Sequence, residues 1–197
     1  MKNLPGLLSM HRIVLPVLLV LMAPGCNETT TPKPRTYFRI DFPEKEYRTF
    51  SGDCPYSFEY PVYGEIADPD ATDAEPCWYN IDFPAYKGKI YLTYKTVDRN
   101  LSVYLEDIRT LAYKHIIKAD DIIDKPFCYP ERRVYGMIYD IQGNTASSVS
   151  FYATDSVRNF LSGSLYFSVQ PNIDSLSPVI SYFKEDIVHL IETLKWN

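Results

Sequence analysis

An apolar run from Ile13 to Ala23, preceded by Lys2, His11 and Arg12 and followed at once by Pro24-Gly25-Cys26, decides where folding can begin. The run is too short to cross a bilayer as a helix and has the layout of a secretory signal. A small residue just before a cysteine, directly after the apolar stretch, is what lipoprotein signal peptidase cuts; here Ala23 stands where the commonest form of that site has leucine. Cutting there divides the chain into a signal peptide, 1–25, a lipidated tether, 26–35, and a single domain, 36–197. The alternative is an ordinary secreted protein whose first cysteine falls near the cleavage point, and the charge-poor, Thr/Pro-rich segment after Cys26 argues against it. A lipidated Cys26 carries a diacylglyceryl group and an amide-linked acyl chain such as palmitate. At roughly 0.8 kcal/mol per buried methylene, two or more chains hold a protein durably at a bilayer. No other stretch is apolar for long enough to span.

Removing residues 1–25 takes away Lys2 and Arg12 and no acid, so 18 basic residues remain against 25 acidic ones, a net charge of −7. Such a chain has no electrostatic reason to bind nucleic acid. Export places the remaining cysteines, Cys54, Cys77 and Cys128, in an oxidising compartment. Cys54 with Cys77 is the expected disulfide, because each adjoins a proline and an aromatic segment and the acidic stretch between them reads as a loop needing closure. Cys128 is then expected buried and reduced. Zinc is the competing reading, but there is no C-x-x-C and the mature chain keeps only His115 and His189, so no metal is expected.

Asn27 to Arg35 has no apolar periodicity and two prolines, and reads as a tether reaching up to roughly 30 Å from the bilayer at about 3 Å per residue. Beyond it, strand and helix periods alternate. Phe38, Ile40 and Phe42 alternate with polar residues up to Pro43; Tyr56 to Tyr60 and Trp78 to Phe83 are further β segments, bounded by prolines and predicted near a sheet edge. Lys89 to Val97 is a strand with Ile90, Leu92 and Tyr94 on one face. Asn100 is placed to cap a helix whose stripe is Leu101, Tyr104, Leu105, Ile108, Leu111, Ala112 and His115. Arg133 to Ile141, Ser147 to Thr154 and Phe160 to Val169 read as an antiparallel meander, its first turn marked by Gly143-Asn144. Ser177-Pro178 is the predicted start of a last helix, with Ile180, Phe183, Ile187, Leu190, Ile191 and Leu194 inward and Lys184, Glu185, His189 and Glu192 outward. The fold class that follows is α+β, a mostly antiparallel sheet packed with two amphipathic helices, an order shared with PsbP/Mog1-like domains.

Reactive chemistry is sparse. There is no G-x-S-x-G, and Ser162-Gly163-Ser164 sits within a predicted strand. His115 reads as a boundary residue of a helical stripe and His189 as a solvated one. Thr154-Asp155-Ser156 has turn chemistry, and Glu106-Asp107 and Asp120-Asp121 read as solvated helix faces and ends. Phosphate-cradling glycine motifs are absent, so neither a nucleotide nor another cofactor is expected. What is unusual is tyrosine, 17 residues, all after the cleavage site. Tyr91, Tyr94, Tyr135, Tyr139, Tyr152 and Tyr166 lie on predicted strands, and alternation places several opposite the apolar face, where they would suit a partner surface. The plainer reading is half-buried strand tyrosine. A tyrosine-lined pocket using His115, Asp140 or Asp155 for ligand binding or hydrolysis is the competing functional reading.

Longer strings carry a resemblance. Pro32-Lys33-Pro34-Arg35-x-Tyr37-Phe38-Arg39-Ile40-Asp41-Phe42-Pro43, Cys54-Pro55-Tyr56-Ser57-Phe58-Glu59-Tyr60-Pro61, Pro76-Cys77-Trp78, Tyr104-Leu105-Glu106-Asp107-x-Arg109-Thr110-Leu111-Ala112-Tyr113-Lys114-His115, and Tyr135-Gly136-x-x-Tyr139-Asp140 with Gly143-Asn144-x-Ala146-Ser147-Ser148 occur in this order. From about Lys33 to Trp196 the chain resembles the gliding-motility lipoprotein GldD family of the Bacteroidetes. The resemblance implies an outer-membrane lipoprotein required for gliding motility, tied to the machinery linked with type IX secretion and partnered by its envelope proteins. It implies no reaction, and it places the lipidated cysteine at Cys26. Surface-exported lipoproteins of this phylum tend to carry an acidic run soon after the cysteine; Asn27-Glu28-Thr29-Thr30-Thr31 lacks one, which favours the periplasmic face.

Overall fold

The computed structural model describes residues 40–169 and 173–197, with side chains from Ser175 onward in the second span. The expected signal, Cys26, the tether and the start of the first predicted strand lie outside the described residues. Ile40 to Pro43, the described end of that strand, is not a strand. Its apolar residues dock on a helix instead: Ile40 and Phe42 pack partly buried against the core, and the Phe42 ring stacks on Tyr182 at 4.3 Å between centroids.

The strands are β1 (Tyr47–Ser51), β2 (Tyr56–Pro61), β3 (Glu65–Ala67), β4 (Tyr79–Phe83), β5 (Gly88–Thr96), β6 (Ala119–Tyr129), β7 (Val134–Gly143), β8 (Ser147–Thr154), β9 (Asn159–Phe167) and β10 (Lys195–Trp196). Helix α1 is Leu101–Tyr113 and helix α2 is Ile173–Thr193. The protein is α+β. One antiparallel sheet has the order β1-β2-β10, and a seven-stranded one the order β3-β4-β5-β9-β8-β7-β6. Tyr56–Pro61 and Tyr79–Phe83 each lie next to an edge strand, with Pro61 at the end of its ladder and Pro84 just past the other.

The core lies between the two sheets and α2. From β2 come Tyr56, Phe58 and Tyr60, from β4 and β5 Ile81, Phe83, Ile90 and Leu92, and from α2 Phe183, Ile187, Leu190 and Ile191, with Leu194 just after it. Gly163 makes this face possible: it stands in register with Leu92 and Phe151, and a Cβ there would meet the Phe151 ring at 2.5 Å. The opposite face of the large sheet packs on α1, where Ile108 and Ala112 bury against Tyr139, Ile141 and Phe160. α1 starts after Asn100 as expected, but the Asn100 side chain does not cap it. It accepts from the Asp98 N–H at 2.9 Å and donates to the Tyr104 hydroxyl, so it closes the preceding turn instead.

Four further expectations are corrected. α2 begins before Ser177, with Pro178 inside it rather than at its first position. Lys184 and His189 do not point to solvent: Lys184 donates to buried Asp140 at 2.5 Å, while His189 lies on the Tyr47 ring, 3.6 Å between centroids, and contacts Glu59 at 2.7 Å. Asp120 and Asp121 belong to edge strand β6, where exposed acids and Pro126 block further pairing. Cys128, also on β6, is exposed rather than buried, because alternation sends its neighbours Phe127 and Tyr129 to the core and Cys128 away.

Candidate functional site

The three residues of the competing enzymatic reading are not brought together. His115 sits on a 3-10 turn after α1, and partial burial lowers its pKa from the usual value. Asp140 projects to the other face of the sheet, between Lys125 at 2.9 Å and Lys184 at 2.5 Å. Burial pushes its pKa up, but the two ammonium groups outweigh that and hold it below the usual carboxylate range. Asp155 is committed to its turn: one carboxylate oxygen accepts from the N–H groups of Val157, Arg158 and Asn159, and the other from the Asn159 side chain. Asp140 and Asp155 are thus occupied structurally, and His115 lies apart from both. Among the described residues no group of three or more His, Cys, Asp or Glu could hold a metal, and no helix is long and apolar enough to cross a membrane.

Tyrosines divide between the faces. Tyr94 is a core residue, 9% exposed, with its hydroxyl on Asn159 at 2.8 Å, and Tyr139 is 4% exposed beneath α1. Both are corrected from the expected partner surface. Tyr94 shares the apolar face of β5 with Ile90 and Leu92, whereas Tyr139 is on the opposite face, where α1 covers it. Burial raises the Tyr139 pKa to about 12, with Tyr152 and Asp124 adding to it, so this phenol stays protonated at neutral pH. Tyr152 is half-buried and stacks on Phe160 at 5.7 Å. Tyr135 and Tyr166 are half-buried, and Tyr91, 42% exposed, meets Tyr166 edge to face at 5.6 Å.

On this outward face, beside Tyr91, lies a cleft of 380 Å³ that sequence reasoning missed. It is lined by Asn80, Tyr91, Leu92 and Thr93 on the strands and by Trp78 and the start of the 68–77 loop, at Pro69, Asp70 and Ala71. The loop is tied to β5 at two points: Asp70 pairs with Lys89 at 2.9 Å, and Glu75 pairs with Lys95. The Asp70 hydrogen bond raises the Lys89 pKa, against the opposing effect of burial. Cys54 and Cys77 are joined in a disulfide, 5.7 Å between Cα atoms, which fixes the end of the loop just before Trp78. Trp78 is held in turn by its indole N–H, which donates to the Tyr94 carbonyl at 2.8 Å. Asn80 is 2% exposed, and its Nδ2 is buried with no hydrogen-bond partner. An orphaned buried amide donor costs about 1–3 kcal/mol. The neighbouring Asp82 Oδ1 accepts no hydrogen bond, but Lys89 lies 3.3 Å away and neutralises it.

The family of gliding motility lipoprotein GldD matches residues 27–196. The chain belongs to that family. A search of curated proteins finds no match. Among solved structures, the chain is similar to that of cyanobacterial PsbP (CyanoP) from Synechocystis sp. PCC 6803, at 10% identity and a TM-score of 0.49, covering 79% of this chain and 95% of that one. For a GldD-family chain, the strings that carried the resemblance now have physical places. Pro76-Cys77-Trp78 closes the cleft loop, Cys54-Pro55-Tyr56 leads into the central strand of the small sheet, and Tyr135-Gly136 lies where a Cβ would strike the Phe127 ring at 2.3 Å. The signal for the cleft that was available in sequence is the alternation Tyr79-Asn80-Ile81-Asp82-Phe83, which sets Asn80 and Asp82 on the face away from the core.

Proposed function

We propose that this GldD-family lipoprotein is a non-enzymatic accessory component of the gliding-motility apparatus and its associated type IX secretion machinery. In this reading Cys26 carries the lipid, the anchor lies in the outer membrane, and the domain faces the periplasm, within tether reach of envelope partners. One structural observation carries the docking role. The turn after α1 holds Ile116 and Ile117 out to solvent, 60% and 91% exposed, between Lys114 and Lys118. Isoleucines so presented cost solubility and contribute nothing to the core, which fits a surface completed by a partner. Tyr91, Tyr135 and Tyr166 would extend the contact on the same side of the large sheet.

The test is an Ile117→Asp variant in cells. The expected result is lost spreading and lost co-purification of motility or secretion proteins from mildly solubilised envelopes, with unchanged amount and fold of the variant. A wild-type protein that brings down no stable envelope partner would count against docking. Deletion of the gene, comparing secretion with spreading, tests whether the two processes share this component.

A further inference from the structure

We propose that the cleft between the 68–77 loop and β5 binds a neutral saccharide, with Asn80 as the hydrogen-bond donor and Trp78 and Tyr91 as the apolar walls. This goes beyond the docking role and shares only Tyr91 with it.

Asn80 is among the residues lining a cleft large enough for a small ligand, and its amide has an unused donor. The missing partner is therefore an acceptor oxygen. Its charge follows from the surroundings. Lys89 is tied to Asp70 and Asp82, and Lys95 to Glu75, so neither lysine is free to recognise an anion, and the carboxylates around the cleft outnumber the ammonium groups. That surplus repels an anion and an amide donor cannot bind a cation, so a neutral hydroxyl or carbonyl oxygen fits best. The walls add the second half of the chemistry. An indole and a phenol offer flat apolar area against which the C–H face of a pyranose can lie, with their polar tips left for the ring's substituents. Thr93, whose hydroxyl shares a 2.6 Å hydrogen bond with Ser162, supplies a further hydroxyl beside the amide. Among the described residues, the polar concavities around Lys184 and around Glu59 hold no such unpartnered buried polar atom. The disulfide and the two ion pairs hold the loop over the floor in advance, so little ordering is left to binding.

The test uses the full-length protein in detergent and saturation-transfer NMR with N,N′-diacetylchitobiose, maltotriose and an acetylated trialanine amide. The expected result is saccharide signal from the wild type and affinity at least about tenfold weaker in both Asn80→Leu and Tyr91→Ala. Asn80→Leu also removes the orphaned donor, so its urea midpoint should equal or exceed that of the wild type. Tyr91 is exposed, so its variant keeps the test open should Asn80→Leu fold poorly. Absence of binding by both saccharides, undiminished binding in the variants, or binding of the peptide amide alone would each overturn the proposal.

Discussion

Asp186 should be among the most costly side chains to remove from this domain, because it joins the segment entering the fold to α2. It is 2% exposed and accepts from Lys45 at 2.7 Å and the Tyr47 hydroxyl at 3.0 Å on one oxygen, and from the Tyr63 hydroxyl at 2.6 Å on the other. Lys45 also donates to the Tyr182 carbonyl at 2.7 Å and lies over the Tyr182 ring at 3.4 Å. Burial, and then the bond to the carboxylate, push the Tyr63 pKa up, so Tyr63 remains a donor. Asp186→Ala strands an ammonium and two phenols; breaking a buried pair from one side costs about 3–5 kcal/mol. Because the Lys45 side chain keeps 23% exposure, water can replace part of what is lost, which favours the lower end. With an m-value near 2 kcal/mol/M for urea, the midpoint should fall by roughly 1.5 M at unchanged m. The assay is urea unfolding followed by tryptophan fluorescence and by far-UV circular dichroism. Lys45→Met combined with Asp186→Leu should recover much of the loss, since removing both partners leaves no uncompensated charge. A cost for Asp186→Ala below about 1 kcal/mol, or a double variant no better than the single, would refute the reasoning.

Two other outcomes follow from the same physics. Asp140 has a folded pKa below its unfolded value of about 3.9, so its contribution is complete above that pH and is lost as the pH falls through the lower folded value. Asp140→Asn should therefore lower stability at neutral pH and flatten the acid limb of a stability-versus-pH curve, and an unchanged limb would contradict the Lys125–Asp140–Lys184 bridge. Replacing Cys54 and Cys77 with serine opens a loop of sequence separation 23, which by the chain-entropy estimate costs roughly 3 kcal/mol in thermal or urea unfolding. The same pair of substitutions should weaken saccharide binding, because Cys77 adjoins Trp78.

How far the fold was legible depends on where each segment sits in the sheets. β5 and the β7-β8-β9 meander carry their apolar alternation through the middle of the large sheet, and α2 buries nearly its whole predicted stripe, so period alone reveals them. β6 is hidden because an edge strand must carry the polar residues that block pairing, and Asp120-Asp121, Asp124-Lys125 and Pro126 read as anything but β. The turns β4-β5 and β6-β7 also escape notice. Each is a 3-10 turn opened by a proline, Pro84 or Pro130, and closed by a basic residue at positive φ, Lys87 at 50° and Arg133 at 54°, where a glycine would have marked it. The cleft was less legible still. Alternation puts Asn80 on the outward face, but the covering loop depends on ion pairs between residues 19 and 20 apart in sequence, and no local pattern announces them.

The central claim, a lipid-anchored accessory protein of gliding motility, is tested most directly at Cys26. A Cys26→Ala variant, expressed at the native level in a deletion strain, is followed by membrane fractionation and by colony spreading. The account predicts a protein lost from the membrane fraction and a strain that does not spread. A variant that remains membrane-bound and restores spreading would contradict it.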